Sequence, residues 1–502
     1  MNILLVSSEV VPFAKTGGLA DVSAALPAAL TRLGVNSAVV MPAYRKFLER
    51  TGVTFRTLDV VLEIPIGSKV VTGGIIAAEL PGTQVPIYFI DQPAYFDRPE
   101  LYRERGADYK DNCERFVFFC RSVMEMIRLL DLPVDIIHCN DWQSGLIPAY
   151  QRCEYQHARG YEHILTLMTI HNLAYQGRFW HWDMLLTGLD WRYFNWKQME
   201  FYGDLNLLKT GIVFADAIST VSQRYSEEIQ TSEHGCGLEG VLQQRREVLS
   251  GIINGVDYDI WNPEVDAQIP AKYSVQDWQT GKRICKAGLQ AAVGLTASPT
   301  TPLIGLVGRL ADQKGFDLVA DIMKRWVHDV DCQWVIVGTG EPVYHDLLTG
   351  LAREHPGRVA VKLEFSERLA HLVEAGADMF LMPSRYEPCG LNQMYSLRYG
   401  TVPIVRETGG LADTVVDLTE AHLTEGTANG FSFLDYDASA LEATLRRAVS
   451  VFQQQPDTWR RIVEIGMRQD WSWDSSARRY IELFHRMLAA RDLARVKVQG
   501  LR

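Results

Sequence analysis

One carboxylate and three basic side chains are the groups in this sequence best suited to a substrate that carries both phosphate and sugar. Glu387 follows the short apolar segment 377–383, and Lys15 precedes two glycines. Arg309 and Lys314 lie five positions apart in a loop before a helical segment, where two cations can converge on one pyrophosphate. This set favours departure of a nucleoside diphosphate from a sugar, because cations stabilise the negative charge that grows on the leaving phosphate.

Polar residues that follow predicted strands extend this set. His171 and Asn172 come directly after the strand-like segment 164–170, and Asp141 ends a buried strand that begins at Val134. The carboxyl ends of strands in α/β folds open on ligand crevices. A lone histidine is more often structural, but the place of this one beside a glycine turn gives a site role equal weight.

Some of these motifs also have plain structural explanations. Lys15 with Gly17 and Gly18 could grip an anion at a helix start, or could be a surface lysine beside a glycine turn. Cys389 could be a nucleophile, although a small residue packed at a tight turn is the favoured interpretation. The aromatic run 179–182 could stack sugar rings, although core packing is the commoner role of such a run.

Metal and cofactor patterns are weak. The triplets 257–259 and 435–437 both read Asp-Tyr-Asp, a pattern of metal-dependent sugar transferases, but neither follows a strand cleanly. We therefore predict no metal site. The loop after the first strand is neither GxGxxG nor a Walker A motif, so no nicotinamide or other cofactor is expected. The eight cysteines show no metal-ligand spacing, which indicates reduced thiols.

The elements that must position these groups repeat the order strand, loop, helix in both halves of the chain. The first half opens with strands 3–6 and 37–41 around a helix, and segment 252–257 looks like its last strand. Two adjacent strand-to-helix turns, 384–391 and 408–411, would present partial positive charge to a phosphate. The pattern predicts an α/β protein with two doubly wound domains and a ligand in the cleft between them.

Length and composition bound the possible partners. The chain has 502 residues, of which 47% are hydrophobic and 22% charged, as in a soluble globular protein of two or three domains. The formal net charge of −11 argues against nucleic acid and suits a neutral substrate. No apolar run reaches transmembrane length and no basic segment precedes the first strand, so we expect neither a membrane partner nor a signal peptide.

Five motifs, in order along nearly the whole chain, resemble those of the bacterial glycogen synthase and plant starch synthase family. They are residues 15–22, 171–177, 308–315, 384–391 and 408–414. The resemblance implies a GT-B fold, with two Rossmann-like domains facing a central cleft. It also implies an enzyme that transfers glucose from ADP-glucose to the non-reducing end of an α-1,4-glucan (glycogen, starch or maltooligosaccharide), with retention of configuration and without a metal.

The resemblance implies a role for each matched residue. Arg309 and Lys314 match the pair that stabilises the departing diphosphate, and Glu387 matches the carboxylate that faces the donor glucose. His171 matches a histidine beside that glucose, and Asp141 an aspartate at a strand end. Phe365 is placed where an aromatic ring stacks on adenine. The residues expected to bind substrate are Lys15, Thr16, Gly17, Gly18, Asn172, Phe365, Gly390, Leu391, Thr408, Gly409 and Gly410.

Two positions depart from patterns in related enzymes. Gln143 stands where many family members have a histidine, which puts any role of that histidine in doubt here. Tyr395 stands where many other retaining GT-B enzymes have a second glutamate, eight positions after Glu387. The tyrosine agrees with the glycogen and starch synthase branch and counts against sucrose- or trehalose-type relatives.

The family's organisation predicts an acceptor and catalytic domain at 1–253 and a nucleotide-sugar-binding domain at 254–472. The helical segment 473–502 is expected to pack back on the first domain, and the location is expected to be the cytoplasm, or the plastid stroma for a processed plant-type chain. Two other functions stay open, a retaining GT-B transferase with a UDP- or GDP-sugar donor and a catalytically silent glucan-binding scaffold. Whether Glu387 forms a covalent intermediate or only orients and stabilises charge also stays open.

Overall fold

The protein packs into two compact units. The structure is a computed structural model that describes residues 1–49 and 51–499, so the last three residues of the predicted segment 473–502 lie outside the described residues. Unit 1 comprises Met1–Val221, Ser226–Gly255 and the chain from Trp473 onward, and unit 2 comprises Ser222–Tyr225 and Val256–Ser472. The predicted roles of the two domains stay predictions.

A nine-stranded sheet forms the centre of unit 1. Its strands in chain order are β1 (Asn2–Val6), β2 (Asn36–Pro42), β3 (Arg56–Ile66), β4 (Lys69–Glu79), β5 (Pro86–Asp91), β6 (Ile136–Asn140), β7 (Leu165–Ile170), β8 (Ala217–Thr220) and β9 (Leu249–Gly251). Their order across the sheet is β9-β8-β7-β6-β1-β2-β5-β4-β3. Neighbours pair in parallel except at β3–β4 and β4–β5, which are antiparallel. Residues 3–6 of β1 are a buried apolar run, and every residue of β6 is buried, as expected for parallel strands covered on both faces.

Helices cover this sheet, and the last of them returns to its middle. The rings of Tyr480 and Phe484 have centroids 5.4 and 6.1 Å from that of His138 on β6. The helices of unit 1 are Gly18–Arg32, Arg45–Leu48, Pro93–Phe96, Asn112–Leu129, Ile147–Tyr150, Met184–Thr187, Leu207–Phe214, Glu239–Gln244 and Trp473–Gln499, and Gln223–Glu228 has residues in both units.

Unit 2 is built on a six-stranded sheet in which all neighbours are parallel. The strands are β10 (Leu303–Val307), β11 (Gln333–Val337), β12 (Val359–Lys362), β13 (Met379–Met382), β14 (Val402–Arg406) and β15 (Phe431–Phe433), in the order β12-β11-β10-β13-β14-β15. The helices are Trp278–Val293, Phe316–Asp329, Pro342–Glu354, Glu367–Gly376, Asn392–Tyr399, Gly409–Thr414, Glu420–Glu425, Ala438–Gln454 and Pro456–Arg468.

The strand order reverses once in each unit, and these switch points are where doubly wound sheets bind ligands. In unit 1 the chain builds outward from β1 on one side and then restarts at β6 on the other side. In unit 2 it builds from β10 through β12 and restarts at β13. The crevices at the carboxyl ends of β1 and β6, and of β10 and β13, are therefore the expected binding places.

Some local predictions were wrong. The last strand of the first half is Leu249–Gly251 rather than the segment at 252–257, because Ile252 already leaves the ladder after its amide donates to the carbonyl of Thr220. Between β5 and the helix Asn112–Leu129, the chain forms the helical turn Pro93–Phe96 and the two-stranded pair Arg103–Glu104 and Ala107–Asp108. Searched over the described residues, the chain has no helix that is both long and apolar enough to cross a bilayer.

Candidate active site

The loops after β10 and β13 hold Lys314 and Glu387, two of the predicted catalytic residues. Lys314 ends a single 3₁₀ turn after β10, and its Nζ lies 2.6 Å from Oε2 of Glu387. Ser384 Oγ donates to the same carboxylate oxygen at 3.0 Å. The Glu387 side chain is 8% exposed and that of Lys314 is 29% exposed. The carboxylate is therefore fixed by two donors, while the ammonium keeps a face toward solvent.

Close backbone packing joins the two strand-to-helix turns that follow β13 and β14. The amide of Gly410 donates to the carbonyl of Glu387 at 3.1 Å. A Cβ at Gly409, whose φ is +45°, would lie 2.0 Å from that carbonyl oxygen, and one at Gly410 would lie 1.9 Å from the carbonyl oxygen of Cys389. Only glycine fits at these two positions. The main chain of Cys389 is part of this tight contact, which favours the packing interpretation of that residue.

Arg309 lies beside the pair but does not join it. It follows β10, is exposed, and its Nη2 donates to Oε1 of Gln313 at 2.7 Å. The helix Phe316–Asp329 begins at Gly315, whose φ of +77° and close approach to the carbonyl of Pro383 exclude a side chain. The geometry holds the loop of Lys314 against the end of β13 and leaves the guanidinium of Arg309 accessible.

The other predicted residues of unit 2 also follow parallel strands. Leu391 is the N-cap of helix Asn392–Tyr399, and Gly390, with φ +69°, precedes it. Thr408 is the N-cap of helix Gly409–Thr414. Phe365 follows the edge strand β12 and is 90% exposed. The structure thus brings Gly390, Leu391 and Thr408 to the switch point and leaves Phe365 as an exposed ring at the edge of the sheet.

The predicted residues of unit 1 follow β1, β6 and β7, which are neighbours in the sheet. Lys15 Nζ forms an ion pair with Asp21 Oδ1 at 2.7 Å, with the two side chains 49% and 34% exposed. Because the pair faces solvent, it holds Lys15 only weakly. Gly18 is the first residue of helix Gly18–Arg32, and Gly17 is its N-cap.

Glu9 is a residue that the sequence reasoning missed. Its carboxylate accepts hydrogen bonds from Thr16 Oγ1 at 2.6 Å, from Gly17 N at 3.3 Å, and also from the amide of Thr16. Tyr102 Oη donates to it at 2.8 Å, and Glu9 itself is 3% exposed. These bonds tie the loop that carries Lys15 to the end of β1. The available signal was a lone acid three positions after the end of a predicted strand.

Asp141 and His171 meet at the ends of β6 and β7. The backbone amide of His171 donates to Asp141 Oδ1 at 2.8 Å, and Asp141 has a positive φ of +55°. Burial raises the pKa of Asp141 to about 7, and the nearby charge of Glu9 adds to this effect. Burial lowers the pKa of His171 to about 4. The imidazole is therefore neutral at neutral pH, whereas the carboxyl titrates there.

The tautomer of His171 follows from its partner. Asn140 Nδ2 donates to the carbonyls of Val6 and His138, each at 3.1 Å, so its Oδ1 must face His171 as an acceptor. His171 Nε2 lies 2.8 Å from that oxygen and therefore carries the proton. A neutral ring protonated at Nε2 has a lone pair at Nδ1, which can accept a bond from a hydroxyl group.

The two residues that depart from family patterns lie in different units. Tyr395 stacks on Trp261 with the ring centroids 4.0 Å apart and the planes 1° apart. Gln143 is buried in unit 1 at 5% exposure. Tyr395 thus packs against an aromatic ring of unit 2, and Gln143 lies in the buried turn Trp142–Ser144 that follows Asp141.

The Asp-Tyr-Asp triplets serve local structure. Asp437 caps helix Ala438–Gln454 by accepting from the amides of Ser439 and Ala440 at 2.8 and 2.9 Å. Asp257 Oδ1 accepts from the amide of Asp259 at 2.9 Å. A search of the described part of the chain finds no group of three or more His, Cys, Asp or Glu placed to hold a metal ion.

Comparison with known proteins identifies the class to which this architecture belongs. Residues 2–244 match the family described as starch synthase catalytic domain, and residues 294–457 match glycosyl transferases group 1. Together with the two doubly wound units, these matches define the class: the protein is a glycosyltransferase with the GT-B fold. It is 46% identical to a glycogen synthase of Rhodopirellula baltica over 97% of this chain and 98% of that one. The chain belongs to the glycogen synthase and starch synthase family.

Further relatives agree. A protein named glycogen synthase 2 from Geobacter sulfurreducens is 45% identical over 97% of this chain and 99% of its own length. The catalytic domain of starch synthase IV from Arabidopsis thaliana, solved with ADP and acarbose, has a TM-score of 0.88 and 32% identity, covering 97% of this chain and 99% of that one. Sucrose-phosphate synthase from Thermosynechococcus elongatus shares the fold alone, at a TM-score of 0.56 and 18% identity over 97% of this chain and 99% of that one. The predicted family, GT-B fold and glucosyltransferase activity are confirmed.

Proposed function

We propose that this glucosyltransferase uses ADP-glucose and extends the non-reducing end of an α-1,4-glucan with retention of configuration. The pairing of Lys314 with Glu387 at the switch point of unit 2 carries the proposal, because it sets a cation and a carboxylate side by side where nucleotide ligands bind doubly wound sheets. The ADP in the solved starch synthase IV relative supports the choice of donor.

In this proposal unit 2 binds the donor. Lys314 and Arg309 stabilise the charge that grows on the departing diphosphate, and the amides at Gly390 and Leu391 add donors at a helix start. Glu387, held by Ser384, faces the glucose ring. Phe365, which is 90% exposed, offers its ring to the adenine. Thr408, Gly409 and Gly410 complete the phosphate-binding turn.

Unit 1 contributes to the same reaction. Lys15, on the loop with Thr16, Gly17 and Gly18, leaves its exposed partner Asp21 to bind a donor phosphate. The neutral His171 accepts a bond from a hydroxyl of the glucose through Nδ1, and Asn172 extends that loop. Asp141, tied to the amide of His171, fixes this loop at the strand ends. No metal or cofactor enters this reaction, and we propose a cytoplasmic location, or the plastid stroma for a plant-type chain.

Incorporation of labelled glucose tests the proposal directly. ADP-, UDP- and GDP-glucose are each offered with glycogen, with a maltooligosaccharide, or without primer. We expect incorporation from ADP-glucose into both primers. Digestion specific for α-1,4 linkages should then release the labelled glucose. Preference for UDP- or GDP-glucose would contradict the proposal that ADP-glucose is the donor. Sedimentation of the protein with glucan but no incorporation from any donor would instead support the silent scaffold.

A further inference from the structure

Unit 1 contains a cavity of about 570 Å³ that the proposed reaction does not use. Its wall includes the last residues of helix Leu207–Phe214, Asp216 directly before β8, and Arg245 directly after helix Glu239–Gln244. A cavity of this volume can hold a small organic molecule. The chemistry of the wall indicates which class of molecule that is.

The cavity lies at the opposite edge of the sheet from His171. Asp216 Oδ2 accepts hydrogen bonds from the amide and the hydroxyl of Thr166 at 2.7 and 3.1 Å, which places this wall at the start of β7. His171 follows the end of β7, five residues further along the chain. Five extended residues span about 16 Å. The cavity is therefore separate from the residues at the strand ends and is not an extension of the candidate active site.

Two arginines give the cavity a positive charge. The side chain of Arg152 is 64% exposed and forms no hydrogen bond among the described residues, and its Nη1 lies 3.9 Å from Asp216 Oδ1. Arg245 is held in place, because its Nη1 donates to the carbonyl of Val213 at 3.2 Å and its Nη2 to that of Ala215. With one aspartate against two arginines, the wall carries a formal charge of +1 in a chain of net charge −11. This local excess favours an anion.

One cationic donor of the wall has no partner. The Nε–H of Arg245 is buried and has no hydrogen-bond acceptor in the part of the chain that the structure describes. A buried donor without an acceptor costs free energy, and anionic oxygens are the strongest acceptors for a guanidinium. Because Arg245 lines the cavity, a small turn of its side chain would bring this donor onto an anion bound there.

The rest of the wall suits a carbon body that carries hydroxyl groups. The rings of Tyr193 and Phe214 form an apolar side, with centroids 5.8 Å apart and planes at 82°. The amides of Gln156 and Gln198 can both donate to and accept from hydroxyls, and Asp216 can accept from them. The wall therefore combines cations for a phosphate with partners for the hydroxyls of a sugar.

One helix joins the cavity to the loop of His171. Helix Leu207–Phe214 ends in the cavity wall. At its other end, the amides of its first two residues donate to the carbonyls of Gly177 and Gln176, each at 3.1 Å. Both carbonyls belong to the loop that begins at His171. A ligand that fastens Arg245 to the end of this helix therefore also stabilises the support of that loop.

We propose that this cavity is an effector site for a phosphate monoester with a hydroxyl-bearing body, either a sugar phosphate or a nucleoside monophosphate. The phosphate lies between Arg152 and Arg245, and the body lies against the two rings. Occupancy strengthens the contact of Arg245 with the helix and so raises the efficiency of glucosyl transfer. The inference does not depend on which nucleotide sugar is the donor, because binding at the cavity is measured without any donor.

Binding is tested with a charge-reversed variant and a matched control. Arg152→Glu changes an exposed side chain of the wall. Arg246→Glu makes the same change of charge at a side chain that is 71% exposed and pairs with Glu247 at 3.3 Å outside the cavity wall. Glucose 6-phosphate, AMP and inorganic phosphate are each titrated in a calorimeter. We expect Arg152→Glu to raise the Kd of the bound monoester at least about tenfold, and Arg246→Glu to leave it unchanged.

A second variant keeps the positive charge of the other arginine. Arg245→Lys retains a cation but loses the planar set of donors, so the Kd should again rise. Thermal midpoints show whether each variant is folded. A result from Arg152→Glu alone decides the test if Arg245→Lys does not fold, because the exposed Arg152 makes no hydrogen bond among the described residues that its loss would break.

Cys153 reports where the ligand binds. This free thiol is half-buried in the cavity wall, whereas Cys236 is exposed and does not line the cavity. Burial raises the pKa of the Cys153 thiol, so labelling with iodoacetamide is run above neutral pH and located by peptide mass spectrometry. A monoester at ten times its Kd should slow labelling of Cys153 about tenfold and leave Cys236 unaffected. Arg152→Glu should abolish this protection.

Steady-state kinetics test the effector role. We expect a saturating monoester to raise kcat/KM about fivefold or more in the unaltered enzyme and in Arg246→Glu, but not in Arg152→Glu. Activation by glucose 6-phosphate alone would assign the site to sugar phosphates, and activation by AMP alone would assign it to nucleotides. Protection of Cys153 by inorganic phosphate as strong as that by either monoester would refute recognition of the carbon body.

Three results would overturn the inference. One is full labelling of Cys153 in the presence of all three probes. Another is binding and protection that persist undiminished in Arg152→Glu. The third is a ligand that protects Cys153 but leaves kcat/KM unchanged or lowers it. An enzyme that is activated through the cavity but uses UDP- or GDP-glucose in place of ADP-glucose would refute the proposed donor and leave the effector site standing.

Discussion

Lys314 Nζ and Glu387 Oε2 lie 2.6 Å apart, although 73 residues separate them in the chain. The contact forms because β10 and β13 are neighbours in the sheet of unit 2, so the loops after them meet at one edge. Glu387 is almost fully enclosed while Lys314 is partly open. The carboxylate of Glu387 is thus the fixed member of the pair, and the ammonium of Lys314 is the group that can move toward a negative charge on a ligand.

Lys314→Ala should reduce kcat by a factor on the order of 10²–10³, because a cation that stabilises the departing diphosphate acts mainly in the transition state. Steady-state kinetics with ADP-glucose and glycogen measure this. Lys324→Ala, at an exposed lysine on a helix of the same unit, is the control and should leave kcat unchanged. An effect confined to KM would show instead that Lys314 binds the substrate and the transition state equally well.

Glu387→Gln should lower kcat by about 10³ or more, since the substitution removes the negative charge that faces the glucose. Glu374→Gln is the matched control: Glu374 is 1% exposed and accepts from Ser396 Oγ at 2.6 Å, much as Glu387 accepts from Ser384. Burial raises the pKa of Glu374 well above its usual range, so a neutral amide should replace it with little effect. A Glu387→Gln enzyme with near-normal kcat would refute any catalytic role for the carboxylate.

Glu9→Gln should reduce kcat/KM for ADP-glucose about tenfold, because the loop of Lys15 loses the anion that accepts from Thr16 and Gly17. A double-mutant cycle with Lys15→Ala measures the coupling. If Glu9 acts by positioning Lys15, the two effects on kcat/KM will be far from additive. Full additivity, or a lowered thermal midpoint with unchanged kinetics, would assign Glu9 to stability alone.

Acid should destabilise the protein in part through His171. Its pKa of about 4 lies below the unfolded value of about 6.5, so the unfolded chain binds the extra proton. The stability that the neutral ring contributes is complete above about pH 6.5 and is lost as the pH falls toward about 4. Thermal midpoints of His171→Gln should therefore fall less than those of the unaltered protein over this window.

The quantity to compare is the difference in thermal midpoint between His171→Gln and the unaltered protein at each pH, because other groups titrate in the same range. The raised pKa of Asp141, about 7, acts in the opposite sense and removes stability as the pH rises. Burial also lowers the pKa of His138 to about 3, and the nearby His171 adds to this effect. His157→Gln, at an exposed histidine of unit 1, serves as the control. Identical pH dependence of His171→Gln and the unaltered protein would contradict the prediction.

Phe365→Ala should raise KM for ADP-glucose about tenfold while leaving the thermal midpoint unchanged, because a ring that is 90% exposed contributes little to the fold. Binding of ADP by calorimetry should weaken by a similar factor. Leu434→Ala, at a side chain of unit 2 that is 58% exposed, should change neither quantity. Unaltered ADP affinity in Phe365→Ala would remove this residue from the nucleotide site.

The sequence by itself determined the class of fold, the family and the residues that follow each strand. Apolar runs such as β1 and β13, each closed by a glycine or proline turn and followed by a helical pattern, are local signals. These signals depend on neighbours within a few positions, so they can be read from the sequence without knowing the tertiary contacts.

Only the tertiary structure decided which of these residues meet. The bond from His171 to Asp141 and the ion pair of Lys314 with Glu387 both depend on strand order and register. Strand order is set by long-range packing that leaves no periodic trace in the sequence. For the same reason the aromatic run at 179–182 could be read from the sequence, but not which of its rings face solvent.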